Sequence, residues 1–438
     1  MQHPLKDYVF LTAEQVEAFD LKEIANWKDK GYFLEVDLSF PPEVQDMTHD
    51  LVLAPEKMNL TYKDLSPYAR ELHDKCYPSQ KGRHKSTKLM ATFKPRKNYV
   101  LHGENLKFYL SMGVKLDKIH RILSFTQRPF IATFIWKCTK LRSEATSEIT
   151  KQVFKLFCNS NFGKFIETPT RYLSARFIFN EKQLQRAVRE PYYQGVRKIS
   201  DIMSVAIYKP QSICFDKATP VGVSILELSK LICYKFFYEV LVKKYGRDNL
   251  NLIFSDTGKT ITTTTKRPQL KNAFYFSDSF MLALKTPNLV KDIEDLKERF
   301  DTSNYPTDHP LYSNERANHL FLVKDEAKGS AITRFIGLRS KQYCFQIEKK
   351  DGSKVVKKCC KGIKKTTIAK HLTMQNYLDS IEKEQVIYKS ATQIRAFNNQ
   401  LSTIIVRKIA TCAMDDKRYL HDDKISTSAL HYHKNDEI

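Results

Sequence analysis

Negative charge is scarce in this chain. Its 438 residues carry 49 Asp and Glu against 72 Lys and Arg, a formal net charge of +23 at pH 7. An excess of that size favours a polyanionic partner, and nucleic acid is the usual one. The sequence also lacks an apolar run long enough to cross a bilayer. Its opening, MQHPLKDYVFL, has no basic-then-apolar leader pattern. None of the nine cysteines forms a CxxC pair, and the adjacent Cys359 and Cys360 suit neither zinc spacing nor a disulfide framework, so they read as reduced thiols. There is no internal repeat and no long low-complexity linker. These absences predict a soluble intracellular protein, nuclear or cytoplasmic, with no membrane partner. His431 and His433 read as part of a solvated polar tail.

What is present is ordinary for a globular protein: 42% hydrophobic residues, enough for a sizeable core. Aromatics reach 12%, which suits base stacking. GYFLEVDLSF places strand formers at Phe33, Val36 and Leu38, and Pro41-Pro42 stops the run. Residues 51–100 look polar and irregular, with a basic loop, SQKGRHKSTK, that phosphate could visit. Residues 100–165 look helical, and 166–222 mix short strand signals with loops. Ile225, Leu228, Ile232, Phe236 and Val240 recur at helical spacing, with Gly246 as a stop. Tyr343, Phe345 and Ile347 alternate ahead of an Asp351-Gly352 turn, a β-hairpin pattern. Helices and strands mingle without a βαβ rhythm, which predicts an α+β fold.

NLIFSDTGKT, residues 251–260, ends like a P-loop, but Ile253 stands where its first glycine belongs. Without that glycine the backbone cannot wrap a phosphate. The β-branched run and proline that follow do not open a helix. The better reading is a strand (Leu252, Ile253, Phe254), a turn at Asp256-Thr257, and a return through Ile261 and the threonines. One aspartate at such a turn is either a metal ligand or a plain turn former.

ITKQVFKLFCNSNFGKF, residues 149–165, shows two helical faces. Ile149, Val153 and Phe157 form a stripe that looks like core. Lys151, Lys155, Asn159 and Phe162 form the other, ending at Gly163. Cations for phosphates, a ring for a sugar or base, and glycine for close approach suit a nucleotide. A solvated lysine face with an Asn-Gly helix end fits the spacing equally well.

KLFCNSNFG (155–163) resembles the KxxxNSxYG fingers motif of family-B DNA polymerases, with Phe162 in place of tyrosine. FSDTGKT resembles their YxDTDS palm motif, and LRSKQY (338–343) their KxY motif, all three in the family's order. GYFLEVDLSFPPEV, VGVSILELSK, DHPLYSNE and MDDKRY are similar to the protein-primed branch, found in viruses and Maverick/Polinton transposons.

The resemblance implies a partial right-hand polymerase fold, with a palm β-sheet, helical fingers and a thumb, and with the exonuclease domain absent. Residues 1–100 would be partial palm and an irregular insertion following the first palm motif. Residues 101–170 would be fingers, 171–350 palm with an insertion and two motif hairpins, and 351–438 a thumb-like region. It implies a DNA-directed DNA polymerase using Mg2+, primer–template DNA, dNTPs and a terminal protein primer. Lys155 would bind the triphosphate, and helical spacing adds Lys151 and Gly163 to that nucleotide face. Asn159 and Ser160 would support the nascent base pair, and Phe162 would pack under the deoxyribose. Asp256 would be the remaining metal ligand, and Arg339, Lys341 and Tyr343 would hold the primer strand.

Two departures shape the expectation. The second aspartate of YxDTDS is Gly258, and Lys259 follows it. The first palm motif, DxxSLYP, is not in the sequence; its look-alikes at Asp37 and Asp64 are set aside, because GYFLEVDLSFPPEV resembles a segment that follows that motif. The expectation is a C-terminal polymerase fragment, catalytically impaired. The alternative is a non-catalytic DNA-binding remnant.

Overall fold

The computed structural model describes residues 1–26, 29–169, 173–255, 273–276, 280–317, 319–349, 351–397 and 400–435. The chain divides into two compact units: residues 1–128, 227–389 and 408–438 form the first, and 129–226 with 390–407 the second. Helix and strand are mixed, and the ladders outside the last long ribbon are antiparallel, in keeping with an α+β fold.

The first unit begins with β1 (His3–Phe10), β2 (Lys30–Ser39), β3 (Glu56–Thr61), β4 (Lys85–Met90), β5 (Arg96–His102) and β6 (Lys115–Arg128). Four of them make one sheet in the order β1-β6-β2-β5, and β3 pairs with β4. β2 is central, so Tyr32, Phe33, Leu34, Val36 and Leu38 are all buried, on both faces. As the proline pair suggests, β2 ends before it, and a helix then starts at Pro42, where the missing N–H costs nothing.

The helical expectation for 100–165 fails in its middle. A helix does span Gly103–Ser111, but Gly113, at φ +87°, ends it and sends the chain into the fourteen-residue β6. β2 pairs along nearly all of β6 and β1 along its C-terminal part, and these ladders outweigh local propensity. Residues 51–100 are likewise more regular than their polarity suggested. They hold β3, β4 and a helix, Pro67–Cys76, capped by the Ser66 hydroxyl on the Ala69 amide at 3.2 Å. Arg96 is fully buried in this region. It donates to the carbonyls of Ala54 and Thr92, both at 2.7 Å, and pairs with Glu56 at 3.1 Å.

The second unit packs helices Ala132–Glu144 and Glu148–Phe165 together and carries a sheet of β7 (Ser174–Ile178), β8 (Tyr193–Ser200) and β9 (Met203–Tyr208), ordered β7-β9-β8. Its core is small: Ile178, Ala187, Ala206 and Tyr208. The apolar stripe of the second helix is not core. Ile149 is 78% exposed, and Val153 and Phe157 are exposed too. A helix pair shares one narrow face, too little to bury a second stripe.

Residues 227–389 and 408–438 belong to the first unit, and 390–407, the outer part of the last long ribbon, to the second. A helix starting at Thr219 runs to Lys235 and widens into a π-helical segment, Phe236–Val242, before Gly246 at φ +70° ends it, matching the periodic pattern. From Glu227 onward it belongs to the first unit, where Leu228, Leu231, Tyr234, Phe237 and Leu241 join β2 and the Gly103–Ser111 helix in the main core. β10 (Leu250–Ser255), β11 (Ala273–Phe276) and β12 (Phe280–Leu284) form a sheet ordered β10-β12-β11. β13 (Ala331–Arg339), β14 (Gln342–Glu348) and β15 (Lys354–Cys360) form a meander, with Gly352 at φ +76° in the expected Asp351-Gly352 turn. β16 (Ile387–Phe397) and β17 (Gln400–Thr411) make a long ribbon, and β18 (Tyr419–Leu420) pairs with β19 (Thr427–Ser428).

The polar tail is docked, not solvated. Tyr432 is buried and donates to Asp46 at 2.7 Å, Lys434 reaches the same carboxylate at 2.8 Å, and the His433 amide donates to Gln45. Among the described residues no helix is long and apolar enough to cross a membrane.

Candidate nucleic-acid interface

The strand ahead of the acidic turn forms as its apolar run dictates. Leu252, Ile253, Phe254 and Ser255 of β10 are fully buried, and β10 pairs with β12. Asp256, Gly258, Lys259 and the returning segment lie outside the described residues. The two look-alike aspartates have local structural work. Asp37 accepts from Lys97 (2.9 Å), the Asn98 amide (2.9 Å) and His120 (2.8 Å), and these bonds hold its carboxyl far below the usual range. Asp64 closes a capping box with Thr61.

The Lys155 motif lies on the helix Glu148–Phe165 in the second unit. Lys155, Asn159 and Ser160 are exposed, Lys151 and Phe162 half-buried, and Gly163 open, with nothing within 4 Å of an added Cβ. Neither lysine has a carboxylate partner among the described residues. The Ser160 hydroxyl donates to the Phe157 carbonyl at 3.3 Å.

The KxY segment is the tight loop between β13 and β14. Arg339 pairs with Gln342, leaving Ser340-Lys341 as a two-residue connection. Lys341 adopts φ +60°, a left-handed conformation that a side chain disfavours. The Lys341 carbonyl accepts the Lys361 amide at 3.0 Å, and the buried Gln342 donates to the Ala410 carbonyl, so the loop is clamped on two sides. Tyr343 points the other way, into the core. Its ring meets Phe254 at 4.8 Å between centroids and stacks with Phe335 and Phe345. The first unit thus brings two of the three motif segments together.

Beside the Lys341 loop lies an open cleft of about 240 Å3, lined by Lys88, Arg339, Lys341, Lys361 and Lys417 with Asp415 and Asp416. Five cations against two carboxylates leave its lining with an excess of positive charge. Lys88 pairs with Asp416 at 2.6 Å; Ser86 donates to that carboxylate at 3.0 Å, and His84 lies 3.1 Å from it. Burial alone would raise Asp416, but Lys88 outweighs it and holds the carboxyl below the usual range. Lys341 and Lys361 have no ion-pair partner among the described residues, which leaves both for a ligand. A phosphodiester fits this chemistry.

Lys88, Lys361, Asp415, Asp416 and Lys417 were not singled out from the sequence as site residues. Their signals were present in SQKGRHKSTK, KKCCKGIKK and MDDKRY. What was missing was the folding of β4, the end of β15 and the chain after β17 onto one loop.

The Mg2+ expectation is not tested by the described residues, among which no group of three His, Cys, Asp or Glu side chains is placed to hold a metal. Its one candidate ligand, Asp256, lies outside them.

No family model matches the sequence, and no curated protein matches it either. Solved structures do. Phi29 DNA polymerase complexed with primer–template DNA, a post-translocation binary complex, aligns at a TM-score of 0.50 and 13% identity over 93% of this chain and 54% of that one. The ternary complex with incoming nucleotide substrates aligns at 0.50 and 14% over 94% and 55%. This chain therefore spans about half the length of Phi29 DNA polymerase. At that identity the likeness is one of fold: nearly all of this chain is folded like part of a DNA polymerase.

Proposed function

We propose that this chain grips primer–template DNA as the palm, fingers and thumb portion of a protein-primed family-B DNA polymerase, of the viral or Maverick/Polinton kind. The observation that carries the reading is the cationic cleft at the Lys341 loop, set on the hairpin whose Tyr343 packs against the strand leading to Asp256. The fold likeness to a DNA-bound polymerase supports it. In this reading Arg339, Lys341 and Lys361 hold backbone phosphates, which position a strand without reading its sequence. Lys151, Lys155, Asn159, Ser160, Phe162 and Gly163 form the dNTP face. A terminal protein would supply the primer.

Nucleotidyl transfer needs metal-bridging carboxylates, about 4 Å between the ions. Gly258 removes one, so the chain binds DNA but extends primers poorly or not at all. Incubation with primer–template, dNTPs and Mg2+ tests this. Salt-sensitive binding without extension is expected, and robust extension overturns the impairment. Gly258→Asp, in a chain carrying a DxxSLYP motif, is expected to raise extension. A non-catalytic DNA-binding remnant is the second reading, favoured if that substitution changes nothing.

A further inference from the structure

One feature of the cleft does not serve phosphate binding directly. Asp415 lines it, is 3% exposed, and has an Oδ2 with no hydrogen-bond partner among the described residues. Among the described residues, its Oδ1 accepts the Lys417 amide at 3.0 Å and no other donor. An ionised carboxylate is poorly placed here. It repels the neighbouring Asp416, which already has Lys88, and would repel an arriving phosphate. We propose that Asp415 takes up a proton from solvent when a phosphodiester occupies the cleft, so that the grip on nucleic acid is proton-linked and strengthens below neutral pH. This rests on the nucleic-acid reading above.

Several groups face Asp415. Asp416 lies beside it in the chain, and Lys88 comes from β4, with His84 and Ser86 on the far side of Asp416. Arg339 and Lys341 come from the β13–β14 loop, and Lys361 follows β15. Lys417 and Arg418 follow Asp415 in the chain, and Cys412 precedes it. Burial first, then the Asp416 charge, push the Asp415 carboxyl up to about 6, against the Lys417 amide, Lys88 and Arg339, which pull it down. Desolvation and a like charge both favour the neutral acid. A bound phosphate adds a further negative charge and moves titration into the neutral range. By linkage, a group that gains a proton on binding makes affinity fall as pH rises through that range.

The probe is a fluorescent primer–template DNA, titrated by anisotropy at constant ionic strength between about pH 5.5 and about pH 8. Wild type is expected to lose roughly fivefold or more in affinity across that window. Asp415→Asn, a neutral isostere, is expected to bind at the upper end with the tight affinity wild type shows at the lower end, and to be flat between. His84→Gln and Cys412→Ser, the other groups that titrate nearby, are expected to keep the wild-type slope. Salt-sensitive binding that is flat in pH for wild type, or a slope that survives in Asp415→Asn, overturns the inference alone. Absence of binding at every pH and salt overturns the nucleic-acid reading with it. Should Asp415→Asn fail to fold, calorimetry of wild type in buffers of different ionisation enthalpy counts the proton directly. Net uptake near neutral pH supports the inference, and none overturns it.

Discussion

The rings of Phe254 and Tyr343 lie 4.8 Å apart between centroids, inclined at 54°. One belongs to β10, two residues before Asp256, and the other to the strand leaving the Lys341 loop. Ile253, Met281, Ile332, Phe335, Phe345 and Ile347 close the cluster around them. The contact makes the Lys341 loop and the end of β10 one packed body.

Tyr343 therefore acts on stability through its ring. Tyr343→Ala is expected to cost about 3–5 kcal/mol, as removal of a buried aromatic does. Tyr343→Phe, which keeps the ring contacts, is expected to cost less than Tyr343→Ala. Urea denaturation of the two variants separates them.

Lys341 separates stability from binding. Its φ of +60° suits glycine, so Lys341→Gly is expected to leave the melting temperature unchanged or raise it, by relief of strain worth about 1 kcal/mol. The same variant is expected to weaken DNA binding and to lower the slope of log affinity on log salt by about one. A melting scan and a salt titration on one preparation check both halves.

How much of this was legible beforehand follows from where the information lies. β2, the helix ending at Gly246 and the Asp351-Gly352 turn are set by local pattern, and they formed where the residues indicated. β6 was missed because its stability comes from partners on both sides, and a ladder leaves no trace in one strand's own residues. The Ile149 stripe misled for the opposite reason: periodicity marks an apolar face but not whether a neighbour covers it. Lys341 and Tyr343 were legible as a motif. Lys88, Lys361 and Asp415 were not, since only the fold sets three distant segments around one loop. Asp37 accepts three hydrogen bonds from segments distant in the chain, a role that its own local pattern did not reveal.

Acid is expected to destabilise the main sheet through His102. This side chain is buried against Phe33 and Phe125, and its Nδ1 accepts from the Glu104 amide at 3.2 Å, capping the helix that follows. Burial, with the His3 charge adding, pushes it down to about 4. The unfolded side chain titrates near about 6.5, so as pH falls the unfolded state protonates first. The contribution is full above that value and is lost between it and about 4, on the order of 3 kcal/mol. His102→Asn keeps a capping acceptor and is expected to flatten stability over this window. Denaturant midpoints measured across it supply the check.

Arg96 is expected to be intolerant of truncation. Arg96→Ala leaves the Ala54 and Thr92 carbonyls and Glu56 without their donor, at a cost of about 3–5 kcal/mol. Glu56→Gln, which keeps an acceptor for the guanidinium on a partly exposed side chain, is expected to cost about 1 kcal/mol or less. Thermal melts of both variants distinguish a buried anchor from a surface ion pair.

If the chain grips DNA as proposed, the Lys341 cleft holds nucleic acid. The most direct measurement is the salt dependence of primer–template affinity for wild type beside the double substitution Lys341→Ala, Lys361→Ala. Wild-type affinity is expected to fall steeply with salt, and the double variant to bind more weakly with a slope shallower by about two. Equal affinity and equal slope in the two proteins would contradict the cleft's role, and no salt-sensitive binding by either would contradict the nucleic-acid reading as a whole.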